Sequence, residues 1–149
     1  MDFKNKVVII TGASSGIGRG AAEYLSSLGA NVVITGRSEN GLKETASKCS
    51  PNTLLIVADV TKQEDRVKII DETIKKFGKI NVLVNNAGAG IMKDLASTTM
   101  EDYDFVMDLN VRSVFHLTQL AIPHLIETQG NIVNVSSIAG LRPFPGASV

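Results

Sequence analysis

The residues best suited to do chemistry open near the amino terminus, at Thr11-Gly12-Ala13-Ser14-Ser15-Gly16-Ile17-Gly18. The β-branched run from Val7 to Ile10 precedes them and a stretch with helical spacing follows, so a strand must turn sharply into a helix here. A turn of this kind brings backbone N–H groups and the positive end of a helix to one point. A pyrophosphate can rest there without any cationic side chain. The mechanics of the motif give each glycine a task. Gly12 supplies the turn, Gly16 removes a Cβ that would face the phosphates, and Gly18 lets the helix pack against the sheet. Ser14, Ser15 and Ile17 complete the loop and are expected to line the same site. The spacing is not the usual G-x-G-x-x-G.

The elements that must position this turn alternate along the chain. Apolar runs at Val7–Ile10, Val32–Thr35, Leu54–Ala58, Val82–Val84 and Ile132–Val135 read as strands of a parallel sheet buried on both faces. Between them lie helical stripes: Ile17, Ala21, Tyr24, Leu25 and Leu28; Leu42, Thr45, Ala46 and Cys49; Val67, Ile70, Ile74 and Phe77; Val114, Leu117, Ala121 and Leu125. Gly29 and Gly78 are expected to close two of these helices. Thr61-x-x-Glu64 and Thr98-x-x-Glu101 read as capping boxes, and Pro123 as a kink. Strand–helix alternation implies right-handed crossovers and one α/β, doubly wound, Rossmann-like sheet. Its five strands are expected in the order 3-2-1-4-5, with a ligand at the carboxyl ends where strands 1 and 4 part.

Composition narrows the partners. The 149 residues carry 15 basic and 15 acidic side chains, a formal net charge of zero, which argues against a nucleic-acid or anionic-membrane binder. The single Cys49 excludes an internal disulfide and a cysteine-rich zinc site. His116 and His124 have no acidic or Cys ligand at metal spacing and read as surface or interface residues, so no metal is expected. No apolar run approaches the ~20 residues that span a bilayer, and no signal-peptide core follows Met1. The expectation is a soluble, cytoplasmic protein.

The glycine turn, with later motifs in order, resembles the short-chain dehydrogenase/reductase family in its T-G-x3-G-x-G branch. Asp59-Val60 follows the third strand, where the resemblance puts an Asp against adenine. Asn85-Asn86-Ala87-Gly88 ends the fourth and matches the family's N-N-A-G element, so Asn86, Ala87 and Gly88 are expected beside the cofactor. Asn110 matches the active-site Asn near the start of the fifth helix. Ser137 matches the catalytic Ser, with Ser136 structural. The resemblance covers the whole chain. Arg37 follows Thr35-Gly36 at the end of the second strand, where NAD binders place an acid for the ribose hydroxyls. Gly36 offers none, and the planar fork of Arg37 suits a 2′-phosphate, so NADP(H) is expected in preference to NAD(H).

The resemblance implies hydride transfer between a nicotinamide and a small-molecule carbonyl or secondary alcohol. It also implies a proton-transferring Tyr with a Lys four residues on, because a Tyr of pKa ~10 needs a nearby cation. Leu28 stands four residues after Tyr24, and Met107 four after Tyr103. The chain is therefore expected to be the cofactor-binding, amino-terminal portion (residues 1–149) of such an enzyme, lacking the carboxyl-terminal part of the fold. By itself it is expected to be inactive, with strand 5 an open edge and oligomers formed only by a longer form. The alternative is a non-catalytic cofactor-binding, regulatory or dimerisation module. Leu141, Phe144, Ile91 and Met92 hint at an apolar substrate cleft.

Overall fold

The β-branched runs pair as five parallel strands: β1 (Val7–Thr11), β2 (Asn31–Gly36), β3 (Leu54–Val57), β4 (Val82–Asn85) and β5 (Asn131–Asn134). The computed structural model describes residues 3–142 and 145–146. The strand order is β3-β2-β1-β4-β5, the order expected of the dinucleotide-binding pattern. The register aligns Thr11 with Thr35, Gly36 with Val57 and Asn85 with Asn134, so the carboxyl ends finish at one rim.

Alternation along each strand feeds two cores. Val7 and Ile9 of β1 face α3 (Gln63–Phe77) and α5 (Ser113–Thr128), packing with Ile69, Ile70, Leu117 and Ala121. Val8 and Ile10 face the opposite layer, α1 (Gly16–Ser27) and α2 (Glu39–Ser47), packing with Ala22 and Leu42. β1 and most of β2 are wholly buried, as double-sided cover demands. β3 is only partly buried, and β5 is an edge strand with all four residues exposed. Burial on both faces therefore holds for the centre of the sheet and fails at its edges.

Helix ends follow the glycines. Past α1, Gly29 takes φ +87°, its N–H reaches the Ser26 carbonyl, and the Ala30 N–H reaches Leu25, which is a Schellman closure. Gly78 (φ +70°) closes α3 in the left-handed conformation. The expected capping boxes are corrected. Thr61 does not cap α3, because its amide (3.0 Å) and hydroxyl (2.8 Å) both donate to Asp59 Oδ1. That local turn outcompetes the box, and α3 begins at Gln63 with Lys62 at its N-cap. Before α4 (Met100–Met107) the box is Thr99 with Asp102, one residue later than expected, because Thr98 is drawn onto the Asp94 carbonyl.

α4 runs into α5 through a π-helical stretch, Asp108–Arg112, so Asn110 lies on a widened turn rather than at a fresh helix start. α5 runs on through Pro123. His116 does more than face solvent: its Nδ1 accepts from Arg66 Nε at 2.9 Å, and the buried Arg66 donates to the Val60 carbonyl at 2.6 Å. Cys49 is a half-buried thiol just past α2, and burial pushes its pKa up.

Candidate functional site

Where β1 and β4 part, an open cleft of about 610 Å³ lies at the carboxyl ends of the strands. That is where a doubly wound sheet leaves room for a ligand, and the volume suits a small molecule. The glycine turn forms one wall, with Gly12, Ser14, Ser15, Gly16 and Ile17 all lining it. Gly12 (φ +66°) and Gly16 (φ +55°) adopt the left-handed conformation that side chains disfavour. Gly12 also lies so close to Ala87 that a Cβ would come within 2.9 Å of its Cα, whereas a Cβ at Gly16 would meet nothing within 4 Å. The side of Gly16 that a Cβ would occupy is therefore open space.

Gly18 is buried behind the wall and does not line the cleft; its close neighbours are the turn and Asn86, which follows β4. A Cβ there would lie 2.4 Å from the Gly12 carbonyl oxygen and 2.5 Å from Asn86 Nδ2. No side chain caps the N-terminus of α1 and no acidic residue occupies its first turn. Its unpaired amides and positive pole are thus left for an anion.

The opposite wall comes from the end of β4. Asn86, Ala87 and Gly88 line the cleft. The Asn86 side chain serves the turn, donating to the carbonyls of Thr11 (2.8 Å) and Gly12 (3.3 Å). Buried Thr11 ties the same strands together, its Oγ1 accepting from the amides of Asn86 (3.0 Å) and Ala87 (2.9 Å). Thr11→Val leaves both amides unsatisfied, so it is expected to lower stability by about 2–4 kcal/mol in urea unfolding.

The third side joins the ends of β2 and β3. Gly36, Arg37 and Ser38 line it, and Arg37 is exposed. The nearest acid in sequence, Glu39, pairs with Lys43 at 2.7 Å. Asp59 and Val60 lie across from Arg37 with Ala58. Burial pushes the Asp59 carboxyl up, but the Thr61 amide and hydroxyl, with the positive charges of Arg37 and Lys62, outweigh it. The group is held below the usual carboxylate value.

Asn110 and Ser137 do not line this cleft. Asn110 brackets its rim instead, its Oδ1 accepting from the Ala89 amide (3.2 Å) and its Nδ2 donating to the Ala89 carbonyl (2.7 Å). Exposed Ser137 stands beyond β5 and accepts from the Ala139 amide at 3.2 Å. Ile91, Met92 and Leu141 are not on the cleft wall, and Phe144 falls outside the described residues. Sequence reasoning did not place Gly36, Ser38, Ala58, Ala89 and Leu109 in the site. Ser38 carried a signal, since a Ser before Glu39 reads as a helix N-cap, and its side chain does accept from the Gly41 amide. Among the described residues, no group of three or more His, Cys, Asp or Glu side chains is placed to hold a metal ion. No described helix is long and apolar enough to cross a membrane.

Comparison with known proteins agrees with this geometry. A family model described as short chain dehydrogenase matches residues 6–149. An uncharacterized oxidoreductase of Staphylococcus epidermidis is 35% identical over 141 residues, which cover 94% of this chain and 61% of that protein. A short-chain dehydrogenase/reductase of unknown function from Caenorhabditis elegans, solved with cofactor, superposes with a TM-score of 0.90 at 43% identity. That match covers 98% of this chain and 58% of the other. The 3-ketoacyl-(acyl-carrier-protein) reductase of Brucella melitensis, solved in complex with NADH, gives a TM-score of 0.93 at 35% identity, over 98% and 63%. The chain spans about three fifths of the length of these relatives. With its sheet order, its glycine turn and a family match running from residue 6 to residue 149, this chain belongs to the short chain dehydrogenase family.

Proposed function

We propose that this chain is the cofactor-binding portion of a short-chain oxidoreductase that prefers NADP(H) to NAD(H). The observation that carries this reading is the cleft itself. The uncapped N-terminus of α1 opens onto it, and its β2 side ends in Arg37 rather than a carboxylate. The backbone amides of the glycine turn hold the pyrophosphate, with the open face of Gly16 toward it. Arg37 pairs with the 2′-phosphate, and Ser38 offers it a hydroxyl. Asp59 and Val60 flank the adenine, and Asn86, Ala87 and Gly88 border the nicotinamide side.

The bound nicotinamide supplies or accepts the hydride that a carbonyl or secondary-alcohol substrate exchanges. The Ser137 hydroxyl orients the substrate oxygen, and Asn110 supports that side of the site by holding Ala89. The two tyrosines, Tyr24 on α1 and Tyr103 on α4, lack a Lys four residues on and do not line the cleft. Proton transfer therefore has no Tyr–Lys pair within this chain, which binds cofactor but does not turn over alone. The exposed Phe115 and Ile126 of α5 suit contact with a second copy in an assembled enzyme.

The test is a fluorescence titration with NADPH and with NADH. One charge-assisted site is worth roughly 1.5–3 kcal/mol, so NADPH is expected to bind about 10- to 100-fold tighter. Equal affinities would overturn the preference, and no binding of either nucleotide would overturn the reading.

A further inference from the structure

The cleft has two ends that must sit at a fixed separation, and one side chain joins them. Arg19, on the first turns of α1, reaches sideways to α2 rather than into the cleft. Its Nη2 donates to the carbonyls of Ser14 (2.6 Å) and Gly41 (3.3 Å) and to Glu44 Oε2 (2.9 Å). Its Nε donates to Thr45 Oγ1 at 3.1 Å, and that buried hydroxyl lies 2.8 Å from the Ala13 carbonyl. Gly41 makes the approach possible: a Cβ on it would stand 2.6 Å from the Ser14 carbonyl oxygen. Ser14 leads into the N-terminus of α1, and Gly41 belongs to the first turn of α2, which Ser38 caps beside Arg37. Without the guanidinium, the Ser14 carbonyl and the Glu44 carboxylate would lose the donor between them, and the Gly41 carbonyl would keep only its contacts within α2, among them the Thr45 hydroxyl at 3.0 Å.

We propose that Arg19 is a positioning residue: it sets the distance between the phosphate end of the cleft and the Arg37–Ser38 end, and with it the discrimination for a 2′-phosphate. The proposal rests on the nucleotide reading above. A nucleotide with a 2′-phosphate must satisfy both ends at once, whereas one without it depends little on Arg37. Loosening the clamp therefore lowers NADPH affinity more than NADH affinity. A residue that only stabilised the fold would lower both by the same factor.

The experiment measures dissociation constants for NADPH and NADH on the wild-type chain and on Arg19→Met, Arg19→Lys and Glu44→Ala, with a ligand-free melting curve for each. Arg19→Met is expected to cut the NADPH-to-NADH preference by at least about fivefold, with Arg19→Lys between it and wild type. Glu44→Ala removes only the exposed outer partner and is expected to keep the preference. A folded Arg19→Met with the wild-type preference overturns the inference while leaving the nucleotide reading intact. Wild-type chain that binds neither nucleotide overturns both. If Arg19→Met does not fold, Arg19→Lys decides: a reduced preference supports the clamp, and an unchanged one overturns it.

Discussion

Gly18→Val is expected to abolish dinucleotide binding, a loss of more than about a hundredfold in affinity. A Cβ at residue 18 would come within 2.4 Å of the Gly12 carbonyl oxygen and 2.9 Å of its carbon, both backbone atoms. The turn has little room to retreat, because Gly12 is itself pressed against Ala87. The remaining neighbour, the Asn86 carboxamide, cannot swing away without releasing the Thr11 and Gly12 carbonyls it holds. Overpacking of this kind costs about 1–3 kcal/mol or more, and here the strain falls on the turn that forms the cleft wall. Gly20 provides the contrast. It lies on the same helix, and a Cβ added there would meet nothing within 4 Å, so Gly20→Ala is expected to stabilise α1 by about 0.8–1 kcal/mol. Paired nucleotide titrations and melting curves on the two variants check both halves of the prediction.

Arg37→Ala is expected to weaken NADPH about 10- to 100-fold while leaving NADH within about twofold, in the range of a lost charge-assisted contact. The side chain is exposed and neighbours Asp59, so its loss disturbs no core. Raising the salt concentration should shrink the wild-type preference too, because an exposed ion pair is screened. The variant also alters acid behaviour in a defined direction. The lowered pKa of Asp59 contributes stability above the ordinary Asp value of about 3.8, which is lost as pH falls through the folded-state value. Removing Arg37 raises that folded-state pKa and makes the contribution smaller. A variant that weakens NADPH and NADH alike would show that Arg37 supports the cleft generally and does not read the 2′-phosphate.

What was legible in the sequence was whatever local pattern and chain topology dictate. The glycine spacing marked the turn because glycine takes that path at least steric cost, and Gly12 and Gly16 carry the positive φ angles it demands. The strand order followed from strand–helix alternation read together with the dinucleotide-binding pattern of the glycine turn. Helix starts were less legible, since a Thr three residues before an acid is only one of several local bonds that Thr can make. Asp59 took Thr61, and Asp94 took Thr98. The π-helical turn at Asn110 left no trace in a segment that simply reads as helix. Least legible were contacts made at a distance. The Arg66–His116 bond and the Arg19 clamp join different helices, and no spacing rule within one helix reports on them. Gly18 is intermediate: its smallness was readable, but the atoms that require it come from Gly12 and from Asn86, which follows another strand.

These expectations depend on one placement: NADP(H) in the cleft at the β1–β4 parting, with its pyrophosphate at the start of α1 and its 2′-phosphate at Arg37. A crystal structure of the chain with NADPH would show that placement outright. Pyrophosphate oxygens are expected on the backbone amides of the Ser14–Ile17 turn, and 2′-phosphate oxygens within hydrogen-bonding distance of the Arg37 guanidinium. A nucleotide bound elsewhere, or seated in the cleft with its 2′-phosphate turned away from Arg37, would contradict it.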